Sequence, residues 1–359
     1  WEKQRGSKRD SRRFYTQDRL NAYGIDLDRL IWIQTDTIST FVISQVSHFA
    51  HTMKTPQQSY PALAQALGVP EVWLKREDLH NMGSHKGRSI PLMVKEYAKQ
   101  GVRHFAISSS GNAALAAMYA VQTHNQGSRK DPLTLTIFVG KNIDKEKLLT
   151  LQAAMKDDHI RLEQTHEPKR QAFQMDKSRE AKSLRQSTDD LALEGYTELA
   201  IELNKIDNLQ AIFIPTSSGT TAQALGQAFE QMEKKVQIHI VQTTACHPII
   251  DFGLQQSVFS IQQPTVTRSP KSEVRSPLAS AIVDHIAHRK TKVVDIVKNS
   301  GGSGWIVTDE EIQDAVNLVE QACNIAISPN SALSVAGLKK ASQNGWQWTG
   351  AAVCLITGR

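Results

Sequence analysis

Short apolar runs recur along the chain, and most are followed by a small-residue loop and then a stretch of helical character. Residues 72–75 predict a strand, which leads through the charged turn Arg76-Glu77-Asp78 to Met82-Gly83-Ser84-His85-Lys86-Gly87-Arg88. A helix is predicted over 89–100. The pattern then alternates: strand at 102–107, helix at 112–122, strand at 133–139, helix at 144–155 and a short strand at 159–163. Further on, a helix over 195–203 precedes a strand at 212–214, a helix at 222–230 and a strand at 237–242. Thr308 and Glu311 have capping-box spacing ahead of a helix over 309–322. Val353-Cys354-Leu355-Ile356 is a last apolar strand. Strand–helix alternation predicts a parallel sheet with helices on both faces, an α/β fold.

The remaining stretches set the organisation. A short helix over 60–68 is closed by Gly68 and Pro70. Dense mixed charge over 164–190 predicts an exposed helix, and 257–277 reads as a long Ser/Gln/Thr/Pro loop. A chain of 359 residues calls for two closely joined domains rather than one small core. We expect a polar lead-in at 1–50, a large domain from 51–100 and 196–359, and a small domain from 101–195.

Charge and composition narrow the class. The net charge is +6, and the first thirteen residues hold six Lys/Arg against Glu2 and Asp10. That concentration suggests a solvated or nucleic-acid-sticky arm more than a binding domain, with no specific nucleic-acid partner. Cys246, Cys323 and Cys354 are far apart, which argues against a disulfide framework or zinc site and fits a reducing, cytoplasmic setting. Residues 29–46 are too polar for a membrane span. The opening on Trp1 leads us to expect residues ahead of it, and the end at Arg359 is expected to leave no regulatory domain. His48/His51 and His285/His288 have helical spacing but no ligand cluster around them, so no metal is expected. No Gly-x-Gly-x-x-Gly or Walker loop supports a nucleotide site.

The candidate chemistry centres on Lys86. A lysine between a strand and a helix, flanked by small residues, can be a covalent catalyst once its surroundings lower its pKa; taken alone it reads first as a solvated surface residue. Three other stretches change that reading. Ser108-Ser109-Ser110-Gly111-Asn112 opens an alanine-rich helix, and Thr216-Ser217-Ser218-Gly219-Thr220-Thr221 repeats the design after a strand. Small hydroxyl residues at a helix start leave backbone N–H groups free for a carboxylate or phosphate, although each loop alone is also a simple N-cap. Ile356-Thr357-Gly358 ends the last strand.

In this order and spacing, these stretches resemble the pyridoxal-phosphate (PLP) enzymes of the tryptophan-synthase-like fold, or fold type II. The resemblance runs from about Thr55 to the end. The segment from Leu74 to Lys86 looks most like the tryptophan synthase β chain, while Ser110-Gly111-Asn112 is similar to threonine synthases and threonine dehydratases and the helix start 327–338 to threonine synthases. Ser276 to Ser280, Gly301-Gly302 and the start at Val307 are weaker echoes.

The resemblance implies two open parallel-sheet domains with PLP in the cleft between them and Lys86 covalently joined to it. It also implies that Ser217, Ser218, Gly219, Thr220 and Thr221 cradle the cofactor phosphate, that Asn112 meets the ring hydroxyl and that Thr357 faces the ring nitrogen. Family members often carry several glycines in the phosphate loop; this chain has one. Ser108, Ser109, Ser110 and Gly111 would hold the substrate carboxylate. Ser84 and Arg88, with His85 beside them, are expected to bind a substrate phosphate. The implied activity is elimination or replacement on an amino acid, threonine synthase first and threonine/serine dehydratase second, by a homodimer. A fold relative that binds PLP or another ligand without turnover is the alternative of a different class.

Overall fold

The computed structural model describes residues 54–254 and 277–359. The expected lead-in at 1–50, the His48/His51 pair and residues 257–276 of the expected loop lie outside the described residues.

The chain runs β1 (Gln57–Ser59), α1 (Pro61–Leu67), β2 (Glu71–Arg76), α2 (Lys86–Lys99), β3 (His104–Ser108), α3 (Asn112–Gly127), β4 (Thr134–Gly140) and α4 (Lys145–Ala154). Next come β5 (Ile160–Thr165), α5 (Pro168–Lys177), β6 (Lys182–Ser183), α6 (Leu191–Glu194), α7 (Thr197–Leu203), β7 (Leu209–Pro215) and α8 (Thr220–Gln231). The last elements are β8 (Gln237–Thr243), α9 (Pro248–Gly253), α10 (Lys290–Asn299), β9 (Gly304–Val307), α11 (Asp309–Cys323), α12 (Pro329–Gln343) and β10 (Ala351–Ile356).

Two sheets result. The larger has six strands in the order β1-β2-β10-β7-β8-β9, and the smaller has four in the order β5-β4-β3-β6. Every pairing is parallel except β1 with β2. Continuous apolar runs become central strands because both faces are covered. In β10, Ala352, Cys354 and Ile356 join the core under α1, α11 and α12, while Ala351, Val353 and Leu355 join the core under α7, α8 and α10. The smaller sheet packs Phe105, Ile107, Leu135 and Ile137 against Ile90, Met93 and Val94 of α2 and Ala117 and Val121 of α3. Helix α2, placed with the larger sheet by sequence order, thus contributes its apolar face to the smaller one.

Local signals account for several boundaries. The Thr308–Glu311 capping box forms as spaced, with Glu311 N–H on Thr308 Oγ1 at 3.2 Å and Thr308 N–H on Glu311 Oε2 at 2.7 Å. The charged stretch 164–190 contains helix α5 but also the two-residue edge strand β6, which mixed charge concealed. Among the described residues no helix is long and apolar enough to cross a membrane.

Candidate active site

Parallel pairing brings the chemistry-bearing loops to one edge. Ile356 of β10 sits opposite Arg76 of β2, and Cys354 opposite Phe213 of β7, so the segments leaving all three strands emerge on the same side. The Lys86 loop is fastened to the end of β10 by backbone bonds. His85 N–H donates to Thr357 O at 2.9 Å and Arg359 N–H to Gly83 O at 3.2 Å. Lys86 is the first residue of α2 and lines a cleft of about 1030 Å³. The cleft is also lined by Ser108, Ser109, Ser110, Gly111 and Asn112, by Ser217 through Thr221, and by Thr357. Twelve of the fourteen site residues expected from sequence therefore share one cavity.

His85 packs beside Lys86 as a neutral ring. Its Nδ1–H donates to Thr357 O at 2.8 Å, leaving Nε2 as an acceptor. Desolvation, reinforced by the Lys86 charge, pushes its pKa down to about 3.

Two helix starts face the cleft. At α8, Gly219 adopts φ +89°, and a Cβ there would lie 2.6 Å from Val293 Cγ2, so a side chain is excluded twice over. The first α8 amide bonded within the turn is Gln223 N–H, on Gly219 O at 2.9 Å; the amides before it are free to receive an anion. The hydroxyls also hold the loop itself. Ser217 Oγ accepts from Val283 and Asp284 N–H at 3.2 Å each, and Thr220 Oγ1 donates to Gln186 O at 3.2 Å. At α3, Ser109 Oγ accepts from Gly111 N–H at 3.3 Å, while Ser108 and Ser110 line the same cavity. A Cβ on Gly358 would lie 2.5 Å from Asn112 Nδ2, so the glycine lets the end of β10 close against the α3 start. Ser328 and Ser331 hydroxyls fix that end by each donating to Gly358 O at 2.7 Å.

Arg88 and Ser84 require correction. Arg88 does not face the cleft. Its Nε and Nη2 donate to the two Glu77 carboxylate oxygens at 2.7 and 2.8 Å, and Nη1 and Nη2 to Glu202 at 2.8 and 3.0 Å. Lys75 Nζ completes a buried quartet by donating to Glu202. Exposures are 0% for Lys75 and Glu77, 8% for Arg88 and 7% for Glu202, so no donor remains for a substrate phosphate. Burial works against the charge on Arg88, but Glu77 and Glu202 outweigh it and raise its pKa. Ser84 is fully buried behind Gly358 and does not itself line the cleft.

The structure adds residues that spacing did not mark. Tyr97, Lys182, Arg185, Gln186, Asp189 and His288 line the cleft. Tyr97 Oη–H donates to Asp189 Oδ2 at 2.5 Å, and desolvation followed by this bond raises its pKa. Arg289 is buried and binds Gln186 O, Asp190 and Gln223, tying the segment after β6 to α8. A shift from dense charge to Ser183-Leu184 was the only sequence signal for this wall. His285 lies 3.8 Å from Cys246 Sγ, and His288 contacts Arg185, so that pair does not converge.

These residues fit pyridoxal phosphate on structural grounds. An amine, a free-amide helix start with a glycine that no side chain can replace, and a neutral hydroxyl at Thr357 share one enclosure of suitable size. The chain is similar to the threonine synthase of Methanocaldococcus jannaschii, 24% identical over 309 residues, covering 81% of this chain and 70% of that protein. It is similar to the mouse L-serine dehydratase/L-threonine deaminase, 32% identical over 158 residues, covering 43% and 45%. Among solved structures, a pyridoxal 5'-phosphate-dependent aspartate racemase superposes with a TM-score of 0.71 at 16% identity, covering 92% of this chain and 96% of that one. Threonine deaminase isoform 2 from Solanum lycopersicum superposes at 0.69 and 16%, covering 91% and 90%. At that identity the structures establish a shared fold, the type II fold of PLP enzymes. A family model described as "Pyridoxal-phosphate dependent enzyme" matches residues 49–358, and the chain belongs to that family.

Proposed function

We propose that the protein is a lyase acting on an amino acid by elimination or replacement, converting O-phosphohomoserine to threonine and phosphate. The observation that carries the lyase reading is the meeting, in one cleft, of the Lys86 amine with two anion-receiving helix starts. Pyridoxal phosphate, when bound, supplies an electron sink that makes the substrate's α-hydrogen acidic. The amides ahead of Gln223 receive its phosphate. Thr357 offers its ring nitrogen a hydroxyl instead of a carboxylate, which favours elimination over transamination. Ser108 to Gly111 hold the substrate carboxylate at the α3 start, Asn112 meets the ring hydroxyl, and Lys86 Nζ takes the proton from Cα. Similarity to threonine synthases over four-fifths of the chain supports the synthase.

Threonine/serine dehydratase is the second reading, favoured by a short, stronger likeness, 43% identity over 70 residues, to human L-serine dehydratase/L-threonine deaminase. A product assay decides: threonine and inorganic phosphate from O-phosphohomoserine identify the synthase, and 2-oxobutanoate from threonine without phosphohomoserine turnover identifies the dehydratase. Borohydride reduction should fix the cofactor on the Lys86 peptide. Lys86→Ala should lose this label and about a hundredfold to ten-thousandfold of the rate. Labelling of Lys86 with no amino acid turned over would identify a non-catalytic relative.

A further inference from the structure

With Arg88 enclosed among carboxylates, the cations that face the cleft can be compared one by one. Besides Lys86 they are Lys147, Lys169, Lys182, Arg185 and Arg359. Lys169 pairs with Asp284 at 2.9 Å, and Lys182 with Asp189 at 3.5 Å. Arg359 Nε–H donates to the backbone oxygen of Asp78 at 3.1 Å. Lys147 Nζ donates to Ser280 Oγ at 3.0 Å. Arg185 has neutral partners only: Nε–H donates to Ser187 Oγ at 3.0 Å and Nη2–H to His288 Nε2 at 3.0 Å. No ion pair among the described residues includes it.

Its backbone is held where a substrate-reading group would be useful. Arg185 follows β6, and the next residue, Gln186, accepts from Thr220 Oγ1 at the α8 start and from buried Arg289 at 3.2 and 2.9 Å. The side chain thus carries a planar, uncompensated charge on a wall fixed to the proposed cofactor loop. Three of the four acids that line the cleft are engaged elsewhere, Asp189 with Tyr97 and Lys182, Asp190 with Arg289 and Asp284 with Lys169, and the fourth, Asp176, forms no ion pair with Arg185. A guanidinium in that state is suited to an oxyanion that accepts two parallel N–H bonds.

We infer that Arg185 receives an anionic group at the far end of the substrate, a phosphate ester or a carboxylate, and makes the cleft select such amino acids over those ending in a hydroxyl. This rests on the lyase reading, and it transfers to Arg185 the role that sequence spacing gave Arg88.

The test uses the full chain saturated with PLP. Binding of O-phospho-L-homoserine, L-aspartate, L-homoserine and L-threonine is read from the visible absorbance of the bound cofactor, together with the affinity for PLP itself. We expect at least one anionic ligand to bind more tightly than homoserine. Arg185→Gln should weaken that ligand by about tenfold to a hundredfold, with the neutral ligands and PLP within about twofold. Arg185→Lys should recover part of the loss. Preference for phosphohomoserine identifies a phosphate ester as the distal group, and preference for aspartate a carboxylate. Equal weakening of all ligands, weakened PLP binding, or a selective loss in Lys147→Gln but not Arg185→Gln would each overturn the assignment. If threonine perturbs the spectrum and neither anionic ligand binds more tightly than homoserine, the inference falls and the lyase reading stands. If no amino acid perturbs it, both fall.

Discussion

Arg88 lies between two carboxylates, whereas Arg185 lies between a hydroxyl and an imidazole. Both come from short polar segments beside a strand, and the local sequence gives each an equal claim on an anionic substrate. The difference is made by elements distant in the chain. Glu77 follows β2, Glu202 sits on α7 and Lys75 lies within β2, so β2, the turn after it and α7 close around α2 and cancel its arginine's charge. An ion taken out of water costs several kcal/mol and persists only with partners of this kind. The quartet therefore anchors the helix that begins at Lys86, while Arg185 on the cleft wall keeps a guanidinium with neutral partners that can meet a ligand.

The largest effect should come from breaking the quartet. Glu202→Ala leaves Lys75 and Arg88 with Glu77 alone, and urea unfolding should show a loss of about 3–5 kcal/mol. A loss below about 1 kcal/mol would mean that the cluster does not anchor the helix.

A smaller effect should come from a buried group that is kept neutral. His239 is fully buried, accepts from Trp305 Nε1–H at 3.1 Å through Nδ1, and therefore donates from Nε2 to Gln237 Oε1 at 3.2 Å. Burial pushes its pKa down to about 3. Because the folded value lies below the ordinary 6.5, the unfolded chain takes up the proton first and stability declines as pH falls from 6.5 towards 3. The decline from this residue should reach about 1.4 kcal/mol per pH unit. It should be missing from the slope of His239→Phe, and equal slopes in parent and variant would contradict the assignment.

The smallest effect should be on the other arginine. Arg185→Gln should change unfolding stability by no more than about 0.5 kcal/mol, since it removes a part-exposed side chain with neutral partners. A loss comparable to Glu202→Ala would make Arg185 structural and erase the contrast.

Much of the fold and site was legible because it depends on local pattern. The apolar runs at β3, β4, β7, β8 and β10 were identified within a few residues, since strands covered on both faces need little but apolar side chains. The small-residue helix starts at Gly111 and Gly219 could be read from composition. The edge strand β6 could not, because two residues among dense charge carry no period. Arg185 and Gln186 follow it and were missed with it. Arg88 turned out differently for another reason: adjacency to Lys86 in sequence does not fix direction on a helix, where a two-residue step turns a side chain to another face, while Ser84 precedes the helix and is held in a bridge with Gly358.

By itself the sequence determined the α/β alternation, the capping box at Thr308, the lysine between strand and helix and the two small-residue helix starts. Each is set by the propensities and backbone freedom of neighbouring residues. Only the tertiary structure decided which strands became neighbours, and hence that Thr357, Lys86 and the α8 start meet at one edge. It also decided which cations were neutralised. Solvation and pairing of a charge depend on groups that may be more than a hundred residues away, as Glu202 is from Arg88.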